Sequence, residues 1–177
     1  FEDCCDAIQW VHRNIESFGG DRSRLYVGGH SAGGHYAALL ALCQGWRRAR
    51  KLPMDVVRGA LPVSGTYQFG PDAGLSMRPR FLGQPGGGAA RAASPVHHIH
   101  PGAPPFLVSY ASNDYPHLIP QARDFVARLR AAGVLVEELE LAGRDHLGAS
   151  YAAGETDSEW IAAVERFAAS ASATGAW

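Results

Sequence analysis

The sequence predicts an α/β domain: a mostly parallel sheet with helices on its faces. Three observations lead there. Short apolar runs suited to buried strands alternate with segments of helical period along the chain. One junction between them, "YVGGHSAGGHYAALLAL" (26–42), sets a single serine on a corner made of glycines. Two later strand-like runs end directly on acidic and basic residues, "SYASND" and "GRDHLG".

The elements follow in order. Cys4, Ile8, Val11, Ile15 and Phe18 recur at the spacing of an amphipathic helix, which Gly19-Gly20 stops. Residues 24–29, "RLYVGG", read as a strand, and the alanine/leucine run after the glycines as a helix reaching Leu42. "RRARK" (47–51) reads as a solvated helix end. "MDVVRGALPVSG" (54–65) is apolar without alternation, as a strand buried on both faces would be. "PFLVSY" (105–110) makes a third strand, and Ala122, Phe125, Val126 and Leu129 mark a helix ending at Gly133. "VLVEELEL" (134–141) is a fourth strand. Leu135, Leu139 and Leu141 are expected on one face and Glu138 and Glu140 on the other, which suits a sheet edge. Thr156 and Glu159 have the spacing of a capping box. It would open a last helix with Trp160, Val164 and Phe167 on one face, and "SASATGAW" reads as a frayed tail. Residues 70–104 carry no strand pattern and are dense in Gly and Pro. They read as a lid-like insertion, with short helices near 73–82 and 89–94, inside one domain spanning 1–177.

Composition narrows the functions available. With 46% hydrophobic and 19% charged residues the chain can bury a core and is not disordered. A net charge of −1 supplies no field to recruit nucleic acid or an anionic membrane. No apolar run is long enough to span a bilayer. Cys4, Cys5 and Cys43 are odd in number and two are adjacent, so they read as free thiols of a reducing compartment, the cytoplasm. The chain starts inside a helical pattern without an initiator methionine, and an upstream portion is expected.

"GHSAG" (29–33) fits the G-x-S-x-G elbow, a sharp strand-to-helix turn that presents a serine hydroxyl. Side chains at the flanking glycines are expected to strike the neighbouring strand and helix. The backbone N–H of Ala32, at the start of the following helix, would face an oxyanion. A serine hydroxyl is a poor nucleophile without a base, and the base needs an orienting carboxylate. Asp114 directly after the third strand and His146 directly after the fourth stand where a Ser, Asp, His chain order requires them. Asp145 would point elsewhere and Asp72 follows a different strand. "HHIH" (97–100) has no cysteine or carboxylate at a metal-site spacing, so lid or surface histidines are expected and neither metal nor cofactor is needed. His30 is a candidate for the pocket mouth. Tyr67 and Phe69 are candidates for an acyl or aryl pocket, with core packing the equal alternative.

As an ordered set, "YVGGHSAGGHYAALLAL", "PVSGTY", "FLG…ASPVHHIHPGAPPFLVSYASND" and "GRDHLG" resemble the carboxylesterase and kynurenine formamidase-like branch of the α/β-hydrolase superfamily, from Asp3 to Ala169. The resemblance implies Ser31 as nucleophile, Asp114 as orienting acid, His146 as base and the Ala32 N–H as one oxyanion donor. It also implies about the second half of the usual sheet, since members carry further strands upstream and an H-G-G-type loop for the other oxyanion donor. Lacking one such donor costs roughly 10²–10³ in turnover. The strand at 24–29 would then leave an apolar edge and a bare helix face, through which copies of the chain would associate. The expected function is hydrolysis of a small carboxylic ester. Arylformamide hydrolysis is the alternative within the class, and a non-catalytic fragment binding a partner through its open edge the alternative outside it.

Overall fold

A computed structural model describes residues 1–70, 82–83 and 88–173. Helix α1 (Glu2–Asn14) is followed by a 3-10 turn (Ile15–Phe18), strand β1 (Tyr26–His30), and helices α2 (Ala32–Leu42) and α3 (Gly45–Ala49). Strand β2 (Gly59–Val63), the short helix α4 (Ala89–Ala92) and strand β3 (Phe106–Asn113) come next. Helix α5 (Leu118–Ala131), strand β4 (Val136–Asp145) and helices α6 (His146–Tyr151) and α7 (Glu159–Ala173) complete the chain. The four described strands pair in the order β1-β2-β3-β4, every pair parallel. All their carboxyl ends therefore lie along one margin of the sheet. The four expected strands are present in the expected order, with helices between them, and α6 is an element the sequence pattern did not announce.

One face of the sheet meets α1, α2 and α5 through a core that includes Ala38, Leu42, Ala60, Phe106, Val108, Phe125 and Leu129. On the other face Leu61 and Leu107 pack against Ala163 and Phe167 of α7. Helix α2 is buried along most of its length, which explains why it is apolar on every side. Its small residues let it approach closely: a Cβ on Gly34 would stand 2.8 Å from the carbonyl oxygen of Val63 in β2.

Several local expectations are corrected. Arg47 is 2% exposed, not solvated. Its guanidinium donates to the carbonyls of Leu40 and Ala41, at the carboxyl end of α2, and to that of Met54. Those last-turn carbonyls have no partner inside the helix, and a cation is favoured at that end of the dipole. Arg50 bridges back to Glu2 and Asp6 of α1. Phe18 is 70% exposed and rests on Trp10, so the first helical stripe is only partly covered. Leu135, just ahead of β4, is 59% exposed, while Leu141 within the strand is buried. Helix α7 is opened by Ser158, not Thr156. The Ser158 hydroxyl accepts from the Ile161 N–H and donates to the Ala152 carbonyl, serving both sides of the turn.

Within the expected insertion, residues 71–81 and 84–87 lie outside the described set, and the short helix expected near 73–82 falls almost wholly there. The helix near 89–94 is present as α4. Leu82 and Val96 are buried, and the Val96 N–H donates to the Tyr67 carbonyl, so these parts lie against the core. No described helix is long and apolar enough to cross a membrane.

Candidate active site

The end of β1 is forced into an unusual conformation. Ser31 has φ 56 and ψ −115, a region that costs a non-glycine residue on the order of 1–3 kcal/mol. Two hydrogen bonds hold it there: its N–H donates to the Val63 carbonyl of β2, and its carbonyl accepts from the His35 N–H of α2. The turn is too tight for side chains around it. A Cβ on Gly29 would come within 2.6 Å of the Gly33 backbone, and one on Gly34 would strike Val63. Gly33 departs from expectation, since a Cβ there meets nothing within 4 Å.

Asp114 follows β3 and is buried, with no side-chain exposure. Burial alone would raise its pKa, yet the net effect is a carboxyl held below its usual range. The Ser64 hydroxyl, the His146 ring and the backbone N–H groups of Tyr115 and Ala111 all hydrogen-bond the charged form. His146 opens α6 directly at the end of β4. The strand runs to Asp145, beyond the loop expected after residue 141. Its pairing with β3 shifts register between Ala111 and Asn113, where Gly143 adopts φ 72. The Gly143 N–H is taken up by the Ser112 hydroxyl. Asp145 points away from Ser31 and caps α6, its carboxylate accepting from the Gly148 N–H.

These turns bring Ser31, His146 and Asp114 into one line. His146 Nδ1 lies 2.7 Å from Asp114 Oδ1 and its Nε2 lies 3.0 Å from Ser31 Oγ. A carboxylate only accepts, so the proton sits on Nδ1, and Nε2 is left to accept from the serine hydroxyl. Among the described residues the three side chains form one continuous hydrogen-bonded line, the kind of contact through which a base and an orienting carboxylate could activate a serine hydroxyl. Ala32 is the first residue of α2, where a backbone N–H has no intrahelical acceptor.

The other candidates are placed differently. Tyr67 is fully buried, its ring stacked on Phe125 with centroids 4.2 Å apart, and so it is core and no pocket wall. Phe69 is buried edge-on to His35, whose Nε2–H donates to the Ala93 carbonyl. His30 is half-buried and reaches the backbone of His146 at 2.7 Å. The histidines at 97–100 are dispersed: His97 meets Arg91, His98 the Ala92 carbonyl and His100 the Gln44 amide. No group of three or more His, Cys, Asp or Glu suited to a metal occurs among the described residues. The cysteines are free, with the thiols of Cys5 and Cys43 pushed by burial up to about 11.

Two contributors were missed in the sequence, Ser64 and Tyr115. Ser64 directly follows β2 in left-handed backbone, φ 50, with its hydroxyl on Asp114 Oδ2. Its signal was the serine-glycine pair closing "LPVSG" at the same sheet margin as Ser31. Tyr115, beside Asp114, packs its ring 4.6 Å from that of His146.

Comparison with known proteins agrees with this frame. The Carboxylesterase family matches residues 1–68. Esterase LipC of Mycobacterium tuberculosis is 36% identical over 161 residues, covering 79% of this chain and 38% of that protein. Esterase LipQ of the same organism is 34% identical over 159 residues, covering 79% and 36%. Among solved structures, a truncated carbohydrate esterase from gut microbiota superposes with a TM-score of 0.75 at 17% identity, over 97% of this chain and 67% of that one. Thermogutta terrifontis esterase 2, in a form phosphoramylated by tabun, gives 0.71 at 23%, over 95% and 61%. The chain belongs to the α/β-hydrolase superfamily. Its four described strands form a truncated version of that fold. It spans less than half the length of the curated relatives it matches.

Proposed function

We propose that this α/β-hydrolase chain cleaves small carboxylic esters through an acyl-enzyme on Ser31. The observation that carries the reading is the continuous contact from Ser31 Oγ through His146 to Asp114. His146 takes the serine proton as Oγ attacks the acyl carbon, then returns it to the departing alkoxide. It next deprotonates a water that attacks the acyl-serine and passes that proton to Ser31 Oγ as the acyl–Oγ bond breaks and the acid leaves, while Asp114 holds the imidazole and offsets its charge. The Ala32 N–H serves the oxyanion. The esterase relatives support an ester substrate. The same chemistry would open an arylformamide, so both substrates belong in the test.

The test is turnover of p-nitrophenyl acetate and of an N-formyl arylamine by purified protein and by Ser31→Ala. Turnover of the acetate ester by the parent is expected, with loss of at least roughly 10³-fold in the variant. Equal rates in parent and variant would overturn the assignment of Ser31. Preference for the formamide would move the substrate class while leaving the triad in place.

The sheet margin suggests an assembly as well. Among the described residues β1 pairs only with β2, and Trp10 and Phe18 are exposed on the neighbouring helical segment. An open strand edge of this kind is a template for pairing, and this supports association of two copies through β1. Sedimentation equilibrium of the 177-residue chain checks it, a monomer at all concentrations being the contrary result.

A further inference from the structure

The hydrogen-bonded line from Ser31 through His146 to Asp114 has a neighbour that takes no part in it. His30 ends β1, immediately before Ser31, and its Nε2 lies 2.7 Å from the main-chain carbonyl oxygen of His146. A carbonyl only accepts, so His30 carries its proton on Nε2 and donates it. The two rings are packed with centroids 4.4 Å apart at 49°.

The strand order shows why such a contact matters. Nucleophile and base leave the sheet from β1 and β4, which among the described residues are its two outer strands and do not pair with each other. Three strand spacings separate them, about 14 Å in the hydrogen-bonding direction. No ladder bond therefore fixes the base against the nucleophile, and α6 must be held back over β2 and β3. The His30 side chain ties β1 directly to the first residue of α6. Because His30 adjoins Ser31 in the chain, any shift of the base segment is resisted at the elbow itself.

We propose that His30 is a positioning residue, whose Nε2–H on the His146 carbonyl sets the distance and aim of the base relative to Ser31. The proposal rests on reading Ser31, His146 and Asp114 as the triad. Charge is consistent with it. Burial, and then the neighbouring His146, lower the pKa of His30, while its bond to the His146 carbonyl and the charge of Asp114 act the other way. His146 and Asp114 are the titratable groups facing it, and a neutral His30 does not repel the imidazolium that forms on His146 during attack.

The experiment compares His30→Ala with His30→Gln, which keeps an N–H donor near the Nε2 position. His30→Ala is expected to lower kcat about tenfold or more with KM within about twofold. His30→Gln is expected to return kcat to within about threefold of the parent. Long-range proton–nitrogen NMR of the same proteins reads the geometry without any substrate. His30 should appear as the Nε2–H tautomer, and the Nδ1–H signal of His146 should persist in His30→Gln and be lost or broadened in His30→Ala. An Nδ1–H tautomer at His30 overturns the proposal, as does an unchanged His146 signal in His30→Ala. A rise in KM with kcat intact also overturns it and makes His30 a substrate contact. If the parent turns over no ester yet the NMR results hold, the esterase reading fails and the positioning role stands.

Discussion

Ser31 alone would be an ordinary alcohol, and in the proposed function its reactivity would come from four other side chains. His146 Nε2 accepts from the Ser31 hydroxyl, Asp114 bonds His146 Nδ1, Ser64 bonds Asp114, and His30 ties the base segment to β1. Removing Ser64 is therefore informative. Ser64→Ala leaves Asp114 Oδ2 with only the longer bond from the Ala111 N–H. A stability loss of about 1–2 kcal/mol and a kcat reduction near tenfold are expected. Denaturant titration and ester kinetics on the same preparation check both. At this scale the sequence was readable for the meeting of Ser31, Asp114 and His146, because each sits directly after a strand at the same margin of the sheet. It was not readable for Ser64, which looks like any turn serine until the left-handed backbone turns its hydroxyl onto Asp114. Tyr67 was ambiguous for a related reason. An aromatic just past a strand can face either the site or the core, and only its stacking on Phe125 decides.

Elements carry the site by how closely they approach. The elbow works because α2 descends onto β2 with nothing but glycine between them, and the glycines are not equivalent. Gly29→Ala and Gly34→Ala place a Cβ against rigid backbone at 2.6 and 2.8 Å, and each should cost about 3 kcal/mol or prevent folding. Gly33→Ala meets open space and should stay within about 1 kcal/mol of the parent. Thermal melts of the three variants test this ordering, and equal losses would contradict the packing described. Helix and strand types were legible because their periods differ. Their ends were not, since boundaries depend on single hydrogen bonds. Ser158 rather than Thr156 opens α7 because it alone also reaches the Ala152 carbonyl. Strand β4 runs on to Asp145 because Gly143 can take the φ the bulge demands.

Across the molecule, stability has a limit on the acid side. Burial lowers the pKa of His35 from its ordinary 6.5, and burial together with His146 lowers that of His30. As pH falls through 6.5 the unfolded chain takes up protons at these positions and the folded chain does not, so stability must fall. Asp114 adds a second loss at lower pH. Its depressed pKa stabilises the fold above the ordinary 3.8, and this contribution disappears as pH drops through the lower, folded value. The melting temperature should therefore decline below pH 6.5. His35→Gln, which keeps a donor for the Ala93 carbonyl, should flatten the decline. A melting temperature constant on acidification would contradict the buried neutral histidines.

The central claim is that Ser31 is a nucleophile activated through His146, and labelling tests it without assuming any substrate. Purified protein is treated with a fluorophosphonate and digested, and the modified residue is located by mass spectrometry. The adduct is expected on Ser31, forming at least roughly 10²-fold more slowly in His146→Gln. Labelling elsewhere, or at an equal rate in the variant, would contradict the account.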